Sequence, residues 1–245
     1  MITPILSSLG EEKIRLFEKC AEILEAENKK FNLTAITGRE EIFVKHFEDS
    51  LLGAELIRSG AGILDIGSGA GFPAIPLKIA DPSINITLTD SVGKKTAFLV
   101  RLLQALNIDG NVIHARVEDL AALNHSVSVV CGGNVTEIPA REYYRTFPSF
   151  DYTVCRAVAA FPTLIEYCLP YLKIGGTMLA YKAADIEEEL RSARNALRIL
   201  GGEYEKTFGA NLTPDIQRNI ICIKKVRQSP LGYPRGGNKP RLKPL

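Results

Sequence analysis

Two spacings of apolar residues divide the chain. Between residues 11 and 30 they recur at Ile14, Phe17, Cys20/Ala21 and Leu24, the i, i+3, i+7 rhythm of an amphipathic helix, and Phe31-Asn-Leu-Thr34 breaks it. A second stretch, residues 40–57, sets Phe43, Phe47 and Leu51 on one stripe. Together they predict a helical cap over residues 1–60. From Ala61 the rhythm changes. Short apolar runs at 62–66, 85–89, 111–115, 152–155 and 177–181 alternate with helical stretches at 73–80, 94–106, 161–172 and 185–200. Two last strands, 203–208 and 219–225, have no helix between them and are expected to pair as an antiparallel hairpin at a sheet edge. Repeated βα units predict an α/β domain over residues 61–226, with a mostly parallel seven-stranded sheet and helices on both faces. Residues 121–149 interrupt the series with Ser-Val-Ser-Val-Val and Cys-Gly-Gly-Asn, the signature of an inserted hairpin, read as a surface embellishment.

Composition narrows the class. At 245 residues, 46% hydrophobic and 24% charged, the chain can bury a core without staples. Five cysteines without CxxC spacing point to reduced thiols rather than a disulfide framework or a metal site. No apolar run approaches a membrane span and no basic-then-apolar leader opens the chain, so a cytoplasmic protein without membrane contact is expected. Net charge is only +2, but residues 224–245 hold seven Lys/Arg and no acid, which leaves the body at −5. A basic tail over residues 227–245 is compatible with anion binding and equally with simple solvation.

The strongest local signal is Leu64-Asp-Ile-Gly-Ser-Gly-Ala-Gly-Phe-Pro73. A buried strand ends in Asp65, three glycines follow, and Pro73 suits a first helical turn. Glycines let backbone approach a ligand closely. A dinucleotide fingerprint would place Gly or Ala at position 72, where this chain has Phe72. The G-x-G-x-G led by an acid instead resembles motif I of the Rossmann-like class I methyltransferases. Asp90 closes the second strand 23 residues after Gly67, near the offset of an acid that binds ribose hydroxyls; it also suits a helix N-cap before Lys94. After the third strand, Arg116-Val-Glu-Asp119 can offer a side chain and a backbone amide to an adenine edge.

These motifs lie in a longer series: Phe31-Asn-Leu-Thr34, Lys45-His-Phe-Glu-Asp-Ser-Leu51, Asp65 through Leu77, Thr87-Leu-Thr-Asp-Ser-Val-Gly-Lys-Lys95, Arg116-Val-Glu118, Phe150-Asp-Tyr-Thr-Val-Cys-Arg-Ala157, and the terminal Tyr233-Pro-Arg with Lys-Pro-Leu245. In this order and over nearly the whole chain, they resemble the 16S ribosomal RNA guanine-N7 methyltransferases, the RsmG or GidB family. The resemblance implies methyl transfer from S-adenosylmethionine to N7 of a guanine in the 530 loop, with 16S ribosomal RNA, within the small subunit, as partner. It implies cofactor contacts at Gly67, Phe72, Val117, Glu118 and Arg156, to which the ribose argument adds Asp90. Lys182-Ala183 and Ala74 stand where the family has Lys-Gly and a second glycine, and the 121–149 insertion is longer than the family pattern.

Guanine N7 carries an in-plane lone pair, so it can attack a sulfonium methyl without losing a proton. No catalytic base is needed, and none is assigned. On the second helix, Lys45 with Asp49 and His46 with Ser50 stand at i, i+4, the spacing of an ordinary helix salt bridge or of an RNA contact. Lys94, Lys95, Lys182, Arg235, Lys239, Arg241 and Lys243 are candidate phosphate neighbours. Three other classes share parts of the pattern. A methyltransferase for small molecules or proteins has no need of the basic tail, and salt sensitivity of binding separates it. A non-catalytic RNA-binding module would lack cofactor affinity, and a nicotinamide oxidoreductase is disfavoured by the glycine spacing.

Overall fold

The structure is a computed structural model that describes residues 4–146, 149–156, 159–183, 186–213 and 216–245. Ala157, Asp185 and residues 147–148 of the expected insertion lie outside them. A short α1 (Pro4–Ser7) leads into α2 (Glu11–Phe31), which buries Phe17, Cys20, Ala21 and Leu24 along one stripe. α2 stops where Asn32 takes a left-handed backbone, φ 50°, which a short polar side chain tolerates. The next run is α-helical at α3 (Arg39–Ile42), π-helical over Phe43–Glu48, and α-helical again at α4 (Asp49–Leu51). It ends before residue 57, and Gly53 follows it because a Cβ there would collide with the Tyr181 hydroxyl.

Strands and helices then alternate: β1 (Gly62–Ile66), α5 (Ala74–Ala80), β2 (Asn85–Asp90), α6 (Gly93–Leu106), β3 (Gly110–His114), β4 (Ser126–Cys131), β5 (Asn134–Pro139), α7 (Ala140–Thr146), β6 (Phe150–Arg156), α8 (Phe161–Cys168), β7 (Leu172–Lys182), α9 (Glu187–Leu200), β8 (Gly202–Thr213), β9 (Ile216–Lys225) and a short α10 (Lys239–Leu242). One sheet takes the order β5-β4-β3-β2-β1-β6-β7-β9-β8. β3, β2, β1, β6 and β7 run parallel, and β8 and β9 form the expected antiparallel hairpin at one edge.

The count of seven strands needs correction to nine among the described residues. The insertion does form a hairpin, but β4 pairs antiparallel with β3 (Asn111↔Val129, Ile113↔Val127) and so extends the main sheet. Without it, β3 would present an open row of backbone donors and acceptors; β4 pairs them and moves the edge outward to β5.

Side chains alternate between the two faces, as the pleat demands. Ile63, Ile86, Leu88 and Cys222 join α2, α3, α5 and α6 in one core. Leu64, Ile66, Ile221 and Ile223 join α8 and α9 in the other. The helices before β1 therefore share a core with the sheet. The end of the chain also folds back: Lys225 is buried, and its Nζ donates to the carbonyls of Leu169 (2.8 Å) and Leu200 (3.1 Å) and to Ser229 Oγ.

Candidate functional site

The glycine loop leaves β1 and is stitched to β2. The Ser68 amide donates to the Thr89 carbonyl (2.9 Å), the Thr89 amide to Ser68 Oγ (3.1 Å), and Thr89 Oγ1 to the Asp65 carbonyl (3.0 Å). Gly67, Gly69 and Gly71 all hold positive φ, and at Gly71 (φ 99°) a Cβ would also stand 2.5 Å from Ile75 Cδ1. Beneath the loop Asp65 is fully buried. Its Oδ2 accepts from the Ala74 amide at the head of α5 (3.2 Å), while Oδ1 has no hydrogen-bond partner among the described residues. Burial raises this carboxyl to about 7, against the Ala74 amide and the Arg156 charge, which lower it.

A cleft of about 360 Å³ lies outside the carboxyl ends of the central strands. β1 has β2 on one side and β6 on the other, so the crevice sits where the strand order reverses, the place open α/β sheets bind ligands. Gly67, Asp90, Val117, Glu118 and Arg156 line it. Asp90 Oδ2 accepts from the Gly69 amide (3.0 Å) and Oδ1 from the Val92 amide (2.9 Å), with Lys95 Nζ 3.8 Å from Oδ2. The N-cap position of α6 is Val92, so Asp90 braces the turn before the helix rather than capping it. Each of its oxygens can accept a further bond from the cleft. Val117 and Glu118 open a 3-10 turn whose first carbonyl accepts from the Tyr171 hydroxyl (2.5 Å).

Phe72 is absent from the cleft lining. Its buried ring turns toward the cap, stacked on His46 (centroids 4.3 Å apart, planes 14°) and 5.2 Å beneath the Arg156 guanidinium. Arg156 thus faces two ways. It borders the cleft, and it also donates to Asp49 Oδ2 (2.8 Å), the Lys45 carbonyl (3.2 Å) and His46 Nδ1 (3.1 Å). A guanidinium only donates, so Nδ1 must accept and the imidazole carries its hydrogen on Nε2, which points to Thr34 Oγ1 (2.9 Å). Burial first, then the Arg156 charge, hold His46 at about 3, well below its ordinary value, while a backbone hydrogen bond opposes them. It is a neutral ring.

Asp49 also accepts from Arg218 Nε (3.0 Å), so two arginines enclose one buried carboxylate. The helix pair expected between Lys45 and Asp49 does not form; Lys45 pairs with Glu41 instead. The π segment widens the turn between the two and takes Asp49 off the Lys45 line. Ser50 donates to the His46 carbonyl (2.5 Å) rather than to its ring.

Comparison with known proteins places this arrangement. A family model described as "GidB: rRNA small subunit methyltransferase G" matches residues 13–221. The chain belongs to the GidB family. A relative from Acetivibrio thermocellus named "Ribosomal RNA small subunit methyltransferase G" is 40% identical over 241 residues, 97% of this chain and 91% of its own. One of the same name from Alkaliphilus metalliredigens is 39% identical over 228 residues, 91% of this chain and 87% of its own. Among solved structures, a methyltransferase from Pyrococcus furiosus superposes with a TM-score of 0.53 at 15% identity, covering 86% of this chain and 98% of that one. TYW2 of M. jannaschii in complex with AdoMet gives 0.53 at 12% identity, over 74% and 76% of the two chains. These two likenesses show the methyltransferase fold.

For this GidB-family chain, reading by motif missed Arg218, Tyr167 and Asn238, and took Arg241 only as a phosphate neighbour. Arg218 on β9 reaches Asp49 across 169 residues, and only the pairing of β9 with β7 brings it there. Tyr167 of α8 and the terminal Asn238 and Arg241 also line the cleft. Arg235, a candidate phosphate neighbour, is committed elsewhere: its guanidinium grips buried Glu166 at 2.7–3.2 Å. Lys182 is likewise engaged, with Glu189 (2.8 Å) and over the Phe161 ring.

Proposed function

We propose that this chain transfers a methyl group from S-adenosylmethionine to N7 of a guanine in the 530 loop of 16S ribosomal RNA, in the cytoplasm and within the small ribosomal subunit. The observation that carries the reading is one cleft, at the carboxyl ends of β1, β2 and β3, bordered by Gly67, Asp90, Val117 and Glu118 together in a chain of this family. The residues fit the cofactor chemically. Asp65 Oδ1 is a buried acceptor left open beneath the loop, suited to a cationic amino-acid head nearby. Asp90 and Glu118 are carboxylates with acceptor capacity, suited to ribose hydroxyls and an exocyclic amine.

S-adenosylmethionine, when bound, supplies an electrophilic methyl on a sulfonium. The chain's own task is position. Gly67 removes side-chain bulk where backbone meets ligand, and the Asp90 bonds to Gly69 and Val92 fix the loop against α6 before anything binds. Val117 offers its amide beside Glu118. Phe72 acts from behind: its ring holds the loop to the cap through His46 and Arg156. Neutral His46, with both nitrogens engaged, removes no proton, and attack by guanine N7 requires none. Preorganised contacts of this kind supply on the order of 7–11 kcal/mol in well-oriented reactions.

The test is transfer of labelled methyl from S-adenosylmethionine to 30S subunits and to naked 16S RNA that lack the modification, followed by mapping. Label at guanine N7 in the 530 loop is expected. Label at another atom or nucleotide would redirect the substrate and leave the cofactor reading in place.

A further inference from the structure

The outer wall of the cleft comes from residues remote in sequence from the glycine loop. Asn238 and Arg241 line it beside Val117 and Glu118. Asn238 Oδ1 accepts from Arg116 Nη1 (2.7 Å), and Arg116 stands 3.8 Å from Glu118 Oε1. Tyr167, a buried residue, lines the same cleft as Arg241.

The segment that carries them is anchored on both sides of this contact. The Arg235 amide (2.8 Å) and guanidinium hold Glu166, which is fully buried, and Arg235 Nη2 reaches on to the Lys243 carbonyl (2.9 Å). Thr163 Oγ1 donates to the carbonyl of buried Pro240 (2.9 Å). A buried carboxylate without its guanidinium would be strongly destabilising, so this anchor sets the segment in one place. A solvated tail would make none of these bonds.

We propose that Asn238 and Arg241 are part of the cofactor site, binding the adenosine half of S-adenosylmethionine across the cleft from Asp90 and Glu118. This rests on the reading of the cleft given above. Ionised Asp90 and Glu118 only accept hydrogen bonds, which suits hydroxyls and an exocyclic amine. Adenine also carries ring nitrogens that only accept, and the carboxylates have nothing to offer them. Beyond the Val117 amide, Asn238 and Arg241 bring side-chain donors. With its oxygen held by Arg116, Asn238 retains an NH2 group, and a guanidinium is donor-only and planar enough to lie against a purine. Arg116 joins the two walls, through Asn238 on one side and Glu118 on the other.

The experiment titrates S-adenosylhomocysteine and 5′-methylthioadenosine, which lacks the amino-acid part, into the full chain by calorimetry. Asn238→Ala and Arg241→Ala remove the proposed contacts. Lys243→Ala removes the same charge from the same segment without touching the cleft lining. For the first two, Kd is expected to rise about 5- to 20-fold, by the same factor for both ligands because they share the adenosine half. The cofactor KM rises in parallel and the KM for 30S subunits does not; Lys243→Ala binds as the unaltered chain. Unchanged ligand affinity in folded Asn238→Ala and Arg241→Ala overturns the proposal, as does a loss confined to RNA. If the unaltered chain binds neither ligand, the reading of the cleft falls and takes the proposal with it. If it binds both but methylates no guanine, only the substrate reading falls.

Discussion

Asp49 and Asp90 are both buried aspartates at the same end of the sheet, yet they do opposite work. Asp49 lies between the Arg156 and Arg218 guanidiniums, so its charge is cancelled within the protein. Asp90 accepts two backbone amides, which orient it and leave acceptor capacity facing a cleft. Neither burial nor residue type separates them. What does is the kind of close partner: guanidiniums hydrogen-bonded to Asp49 consume its charge, whereas amides aim Asp90, whose one nearby cation, Lys95, stays 3.8 Å away. The region around Asp49 is therefore a fastening between the helices before β1 and the sheet, and the region around Asp90 borders an open cleft.

Breaking the fastening should have the largest effect. Asp49→Ala leaves Arg156 and Arg218 partly buried without a counter-charge, and unfolding free energy is expected to drop by about 3 kcal/mol in urea melts. A loss under about 1 kcal/mol would reduce the cluster to a surface pair.

Next in size is a pH effect that two further groups hide from view. Between about pH 3 and 6.5 the unfolded chain protonates His46 and the folded chain does not, so this group's contribution is full above 6.5 and lost as pH falls. Asp65 has the opposite sign. The folded carboxyl keeps its proton up to about 7 and the unfolded one loses it near 3.8, so its contribution is full below 3.8 and lost as pH rises through 7. In the shared window the two slopes oppose each other. Asp65→Asn is expected to unmask a stability that rises with pH by up to about 1.4 kcal/mol per unit, and His46→Gln the reverse. Equal slopes in both variants, measured by urea unfolding across that window, would remove the pairing.

The smallest expected change sits on the cleft side. Asp90→Asn keeps an oxygen for one amide but loses the charge, and S-adenosylhomocysteine affinity should fall about tenfold, roughly 1.4 kcal/mol, with little change in folding. Unaltered affinity would mean that Asp90 only braces the loop.

Much of this architecture was legible in the amino-acid order because it is encoded locally. The alternation of short apolar runs with helical stripes yields β1 at its observed bounds, and the glycine loop declares itself by spacing. The parts that escaped depend on distant pairing. Nothing within residues 121–149 says that their hairpin will join β3, and nothing near Arg235 says that Glu166, 69 residues earlier, will be buried and in need of a cation. The resemblance implies a cofactor contact at Phe72, and no motif announces that its ring also stacks on His46, 26 residues before it. The Lys45 and Asp49 spacing was local and still misleading, because a π segment shifts helical neighbours without a signature in the residue types.

The strand order also bears on how such a chain is made. β1 finds β2 quickly, Gly62 lying beside Asn85, but its other flank is closed by β6, where Ile63 meets Tyr152 89 residues later. A parallel partner that far along the chain cannot be recruited until most of the protein has been synthesised. Until then this central strand of the sheet keeps one bare edge, and its loop has no floor on that side. Such non-local closure is intrinsically slow and leaves nascent chains prone to wrong pairings. During synthesis, the centre of the cleft is therefore among the last places to become solid.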